Sequence, residues 1–250
     1  MNDRETYGAL AGCYDEMTQD VDYPAWADYL EALFAVRPVH TVLDLACGTG
    51  TMACLLAERG YELIGVDFSP EMLAVAAEKA LDVAGERPIF LCQAMEDLDL
   101  YGTVDACVCL LDSVNHVTDP DRLARALARV LLFLEPGGLF VFDVHTPAHL
   151  RSLDGGLFLD ETDEGYCVWR TEYDPAERIC TYAMDVFRHV QDELWSRDGE
   201  IHEEYAYTVE QLTELLQMTG FVDIHCYGDK TQAPPEDGAD RIFFTARKPD

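Results

Sequence analysis

Apolar and helical segments alternate along the chain between residues 40 and 145. Nearly continuous apolar runs predict strands at 40–45, 61–67, 88–92, 104–110 and 138–145. Strands that are apolar throughout are typical of a parallel sheet covered by helices on both faces. The intervening helices are predicted to begin at Ser69-Pro70 and Asp119-Pro120, where a capping side chain precedes a proline in the first turn. The pattern predicts a doubly wound α/β fold.

The pattern changes after residue 150. Strands are predicted at 166–173, 179–190 and 200–207, with turns near Asp174-Pro175 and at 197–199. No helix separates these strands, so we expect an inserted antiparallel sheet. A helix from Thr208 to Gly220 and two strands, 221–227 and 241–247, complete the chain. The last strand should run antiparallel to its neighbour, because the loop between them contains no helix.

These segments predict three units. Residues 1–38 form an N-terminal helical cover with apolar positions on one helical face. Residues 39–150 and 208–250 form a Rossmann-like cofactor-binding domain with a mostly parallel seven-stranded sheet. Residues 151–207 form the inserted antiparallel sheet, which we interpret as a substrate lid.

Acidic residues outnumber basic ones by 48 to 17, which gives the 250-residue chain a formal net charge of −31. A surface of this charge repels nucleic acid and anionic membranes, so we expect neither as a partner. It suits a neutral or cationic small substrate, although solubility alone explains the acidity equally well. The histidine and cysteine spacings indicate no metal site. No apolar run reaches the roughly 18 residues of a membrane span and no signal peptide is evident, so a cytoplasmic protein is expected.

The turn that follows the first strand carries most of the chemical information. Val42–Leu45 leads directly into Ala46-Cys47-Gly48-Thr49-Gly50, whose small residues let a ligand approach the backbone. Asp67 ends the second strand 23 residues after Asp44, a spacing that places a carboxylate beside the ribose of a bound nucleoside. This pattern predicts an adenosine-containing cofactor. The turn also fits a nicotinamide dinucleotide fingerprint, but the closing hairpin and the lack of a hydride-transfer constellation argue against an oxidoreductase.

An ordered series of motifs resembles the class I S-adenosylmethionine-dependent methyltransferases. The series comprises Val42–Thr51, Gly65–Pro70, Cys92–Leu98 and Leu134–Gly138. Tyr14-Asp15 and Asp112–His116 are similar to the subgroup that acts on small molecules, including glycine and amino-sugar N-methyltransferases. The resemblance implies S-adenosyl-L-methionine as cofactor and a Rossmann-like methyltransferase fold.

The same resemblance implies how the methionine end of the cofactor is held. Asp44 and the backbone around Ala46 and Gly48 would bind it. A backbone carbonyl of Leu110 or Leu111, at the end of the fourth strand, would accept from its ammonium group.

The nucleoside end is assigned by resemblance as well. Asp67 would accept hydrogen bonds from both ribose hydroxyls. The side chains implied to contact the adenosine are Phe68, Met72, Gln93, Ala94 and Met95. Ala94 stands where many relatives carry an acidic residue that reads the adenine amino group, so Gln93 or main-chain groups would have to read it here.

Methyl transfer is an in-line displacement that needs neither a metal nor a covalent nucleophile. Positioning of the reactants can supply up to roughly 7–11 kcal/mol of catalysis. Tyr14 and His116 are the candidate catalytic residues, His116 because active sites of open α/β sheets form where it lies, after the fourth strand. An amine acceptor must arrive neutral, so a base could help. We expect methyl transfer to a small-molecule amine or hydroxyl; the alternative is a non-catalytic cofactor-binding protein. A homodimer is compatible with the sequence.

Overall fold

The computed structural model describes residues 10–161 and 165–250 as eleven strands in two sheets. The larger sheet is built from β1 (Thr41–Leu45), β2 (Glu62–Asp67), β3 (Ile89–Cys92), β4 (Val104–Cys109), β5 (Leu134–His145), β10 (Val222–Gly228) and β11 (Arg241–Arg247). Their order across the sheet is β10-β11-β5-β4-β1-β2-β3. β1 to β5 are parallel and β11 is antiparallel to both β5 and β10, which confirms the predicted sheet and its closing hairpin.

The helices are α1 (Tyr14–Met17), α2 (Tyr23–Phe34), α3 (Thr51–Glu58), α4 (Pro70–Lys79), α5 (Pro120–Phe133), α6 (Pro147–Ser152) and α7 (Val209–Thr219). Their first turns are capped as expected: Ser69 Oγ accepts from the amide of Met72, and Thr208 and Gln211 form a capping box. Gly220 ends α7 in the left-handed conformation. Within the described ranges, no helix is long and apolar enough to cross a membrane.

Each face of the larger sheet carries its own apolar core. Leu43 and Leu45 of β1 pack in the core that contains α5 and α7, whereas Val42 packs in the core that contains α2 and α3. Successive side chains of a strand point to opposite faces, so a strand buried on both sides must be apolar throughout. This requirement explains the continuous apolar runs of the sequence.

The chain direction across the sheet reverses next to β1. β2 and β3 lie on one side of β1, and β4 and β5 lie on the other. Loops leaving the carboxyl ends of β1 and β4 therefore diverge and open a crevice between them, which is where ligands bind in sheets of this kind.

The smaller sheet is antiparallel, as predicted, but has four strands rather than three: β6 (Leu157–Glu161), β7 (Gly165–Asp174), β8 (Ile179–Gln191) and β9 (Leu194–Tyr205). The expected turn at 197–199 is wrong. These residues lie inside β9, and the connection is the two-residue turn Asp192-Glu193. Arg197, Asp198 and Gly199 pair in register with Phe187, Val186 and Asp185 of β8, and the Arg197 guanidinium also lies 2.6 Å from Asp185. The boundaries of the three predicted units remain a prediction.

Candidate active site

One large cavity, of about 620 Å³, lies between the carboxyl edge of the larger sheet and the inner face of the smaller sheet. Its volume is in the range of small-molecule and cofactor sites. Ten of the predicted site residues line it: Tyr14, Ala46, Gly48, Asp67, Phe68, Met72, Gln93, Met95, Leu111 and His116. Three do not: Asp44 and Leu110 are buried within the sheet, and Ala94 is partly exposed outside the cavity wall.

The glycine turn places backbone, rather than side chains, against this cavity. Ala46, Gly48 and Gly50 all have positive φ values, of 61°, 51° and 72°. A methyl group added at Gly48 would meet no atom within 4 Å, so the space in front of this residue is open. A methyl group added at Gly50 would lie 2.9 Å from Ala76 and Phe90. Gly48 therefore leaves room for a ligand, whereas Gly50 leaves room for the protein's own packing.

Asp67 joins the ends of the first two strands. Its Oδ2 accepts from the amide of Gly48 and its Oδ1 from the amide of Ser69, both at 2.9 Å. A carboxylate offers about four lone-pair sites, so Asp67 retains acceptor capacity for a ligand hydroxyl. Burial raises the pKa of Asp67, and the two amide bonds oppose that rise. The arrangement fits a ribose diol, as the strand spacing predicted.

Asp44 lies behind the turn with only 3% of its surface exposed. Its Oδ2 has no hydrogen-bond partner among the described residues. Burial and the charge of Asp67 raise its pKa to about 7. A positively charged ligand group placed nearby would relieve both effects, so Asp44 suits the cationic end of a cofactor.

A charged network that the sequence interpretation did not include forms where β4, β5 and β11 end. The Arg241 guanidinium pairs with Asp143, and its Nη2 lies 2.7 Å from Asp112 Oδ1 and 2.8 Å from His145 Nε2. On its other side His145 Nδ1 lies 3.1 Å from Glu204 Oε2, and although burial opposes the rise, the charges of Asp112 and Glu204 raise the pKa of His145. Burial disfavours ionised Asp112, but the charges of His145 and Arg241 outweigh it and lower its pKa.

This network involves the one candidate metal-ligand group found among the described residues, Asp112, His145 and Glu204. A guanidinium nitrogen already lies within hydrogen-bond distance of Asp112 and His145 there. The group is thus built around an arginine. His145 ends a predicted strand at the ligand-binding edge, and that position is the sequence signal for it. Arg241 begins the last predicted strand, and the antiparallel direction expected for that strand is the signal that could have placed it at the same edge.

The inner face of the smaller sheet closes the cavity with alternate residues of its strands. They are Phe158 and Asp160 of β6, Trp169 and Thr171 of β7, Tyr182 and Met184 of β8, and His202 and Glu204 of β9. Arg170 of β7 and His189 of β8 lie outside the cavity: Arg170 pairs with Asp185, and His189 Nε2 donates to the carbonyl of Asp192.

Two histidines meet over the cavity. The rings of His116 and His202 are 6.1 Å apart and nearly perpendicular. His202 Nε2 lies 2.9 Å from Glu200 Oε2, and burial lowers the pKa of His202. A buried histidine of lowered pKa is neutral at pH 7 and able to accept a proton.

The cavity has the features that S-adenosylmethionine requires. The open backbone cradle at Gly48 and the free acceptor capacity of Asp67 suit the nucleoside, and Phe68, Met72 and Met95 provide apolar surface for the base. Asp44 and Asp67 place negative charge near the turn, which suits a sulfonium and an ammonium group. The residues present therefore fit the cofactor.

Comparisons with known proteins agree with this geometry. A family model described as a methyltransferase domain matches residues 42–138. The chain is 31% identical over 245 residues, 97% of each chain, to YqeM of Bacillus subtilis (strain 168), whose name assigns it an expected methyltransferase activity. It is 27% identical to the glycine/sarcosine N-methyltransferase of Halorhodospira halochloris, covering 91% of this chain and 84% of that protein.

A solved structure matches along the whole length. The S-adenosylmethionine-dependent methyltransferase from Clostridium acetobutylicum ATCC 824 superposes with a TM-score of 0.86 at 27% identity, covering 98% of this chain and 99% of that one. Sequence, fold and cavity thus lead to one assignment. The chain belongs to the S-adenosylmethionine-dependent methyltransferases.

Proposed function

We propose that this methyltransferase transfers the methyl group of S-adenosylmethionine to an amine or hydroxyl of a small neutral or cationic molecule. The observation that carries the proposal is the composition of the cavity beyond the glycine turn. There the smaller sheet contributes aromatic, histidine and carboxylate side chains that a nucleoside does not need. This part of the cavity has the character of an acceptor site.

The cofactor, when bound, supplies an electrophilic methyl group that an acceptor displaces in line from sulfur. The chain's own residues would bind and orient it: Asp67 would accept from the ribose hydroxyls, Gly48 would admit the ligand to the backbone, and Asp44, buried behind the turn, would attract its cationic end. Asp112 and Arg241 neutralise one another beside Leu111, so they shape the wall between cofactor and acceptor.

Charge in the cavity favours a cationic or amine acceptor. Five carboxylate residues line it: Asp20, Asp67, Asp112, Asp160 and Glu204. Arg241 is the one arginine or lysine in the described lining, and it is paired with Asp112 and Asp143. The negative potential of these carboxylates would repel an anionic acceptor and attract an ammonium group. The H. halochloris relative, named for methyl transfer to amino nitrogen, supports an amine.

An amine that arrives protonated must lose a proton before it attacks. His202, oriented by Glu200, and His116 beside it would accept that proton, and Tyr14 would help to exclude water from the reacting atoms. Cytoplasmic location, the absence of nucleic-acid and membrane partners, and a homodimer remain predictions.

The test is an acceptor screen with methyl-labelled S-adenosylmethionine. Pools of small amines, alcohols and carboxylic acids are incubated with the wild type and with Asp67→Ala, and labelled products are separated by charge. We expect label in an amine or alcohol pool with the wild type and none with Asp67→Ala. Label confined to the carboxylic acids would refute the acceptor class, and no label in any pool would favour a non-catalytic binding protein.

A further inference from the structure

Residues 10–21, which we call the strap, connect the two walls of the cavity. The strap contains α1 and contributes Leu10, Tyr14 and Met17 to the cavity lining. It therefore lies between the glycine turn of the larger sheet and the inner face of the smaller sheet. Its two sides are held by different forces.

The side that faces the smaller sheet is held mainly by apolar packing. Leu10 packs with Cys167, Met184 and Val186, and Met17 lies against the same cluster. One polar contact joins them, from the amide of Leu10 to Glu200 Oε1 at 3.3 Å. Apolar packing of this kind has little directional preference, so it does not by itself fix the rotation of the strap.

The side that faces the glycine turn is held through Asp15 by a closed polar network. Lys79 Nζ lies 2.7 Å from Asp15 Oδ2 and donates to the hydroxyls of Thr51, at 2.5 Å, and Thr49, at 3.2 Å. Both hydroxyls donate in turn to Asp15 Oδ1, at 3.2 Å and 2.6 Å. Thr49 and Thr51 flank Gly50, so a single lysine joins the strap, the glycine turn and the end of α4.

The network fixes the residue next to it. Tyr14 precedes Asp15 directly and points into the cavity. Tyr14 lines the same cavity as Asp67, which ends β2, and Asp112, which follows β4, and burial raises the pKa of Tyr14. Tyr14 therefore shares one cavity with the predicted ribose site.

We propose that Asp15 and Lys79 form a latch that holds Tyr14 over the bound cofactor and slows its release. Both are positioning residues, because neither lines the cavity. Breaking the latch would leave the glycine turn in place. The strap would keep only its mainly apolar contacts with the smaller sheet and could rotate about them. The consequence is faster loss of cofactor, not loss of the site.

The test measures S-adenosylhomocysteine binding to the full chain by stopped-flow and calorimetry. Lys79→Met and Asp15→Asn are each expected to raise the dissociation rate and the dissociation constant about fivefold, the effect of losing one partly exposed ion pair with its hydroxyl bonds. The double variant should add little, since either change alone breaks the pair. Lys79→Arg should restore most of the affinity.

Matched controls separate the latch from general destabilisation. Lys248→Met removes a lysine that bonds the carbonyls of Leu132 and Leu134 far from the strap, and Asp28→Asn removes an aspartate paired with Arg59; both should bind as the wild type does. If Lys79→Met does not fold, Thr51→Val provides the second variant. The latch would be overturned if Asp15→Asn and either Lys79→Met or Thr51→Val released S-adenosylhomocysteine at the wild-type rate. Additive effects in the double variant would overturn it as well.

Discussion

Asp67 provides the sharpest test of the assigned cofactor site. Its two oxygens accept hydrogen bonds from the amides of Gly48 and Ser69 at 2.9 Å, and in the proposed site the same carboxylate also accepts from both ribose hydroxyls. A hydrogen bond to a charged acceptor contributes about 1.5–3 kcal/mol, so loss of two should cost about 3–6 kcal/mol. Asp67→Ala is therefore expected to raise the Kd for S-adenosylhomocysteine by roughly two to four orders of magnitude.

Isothermal titration calorimetry measures this effect, with Asp28→Asn as a surface control and urea unfolding of every variant. Asp67→Ala also leaves two amides without their acceptor, which should lower the free energy of unfolding by about 1–3 kcal/mol. The binding test is therefore read only at temperatures where the variant is folded. A folded Asp67→Ala protein whose Kd stays within threefold of the wild type would refute the ribose assignment.

Two further predictions concern the glycine turn and the carboxylate behind it. Gly50→Ala should lower the free energy of unfolding in urea more than Gly48→Ala does. Gly48→Ala costs only the left-handed backbone strain of about 1–2 kcal/mol, whereas the methyl group added at Gly50 also meets Ala76 and Phe90. Equal losses in the two variants would contradict the packing argument. The raised pKa of Asp44 means that the folded protein binds this proton more tightly than the unfolded chain does, so stability falls as the pH rises from about 4 to about 7. Asp44→Asn should therefore gain stability over the wild type across that range, by at most about 4 kcal/mol, and hold the gain above pH 7; a pH-independent difference in urea midpoints would contradict it.

Most helices and strands could be predicted from the sequence because the residues that determine them are close together in the chain. A buried parallel strand must be apolar at every position, and a helix that starts at Ser69-Pro70 has its cap and its proline adjacent in sequence. β6 was missed because it is short and exposed on its outer face, with Leu157 and Leu159 in solvent, so it lacks the buried pattern that the other strands share. The expected turn at 197–199 is wrong because the hairpin already turns at Asp192-Glu193, so residues 197–199 pair with β8.

The sequence alone predicted the candidate cofactor half of the site, since the glycine turn and Asp67 belong to two successive strands whose carboxyl ends must meet at one edge of a parallel sheet. The residues of the proposed acceptor half are brought together only by the tertiary structure. Arg241, His145 and Glu204 come from three strands separated by up to 96 residues, and they meet because β11 is antiparallel and the smaller sheet folds back over the crevice. Alternation along a strand shows which residues share a face but not which face points inward. That Trp169 faces the cavity and Arg170 faces away from it is therefore known only from the fold.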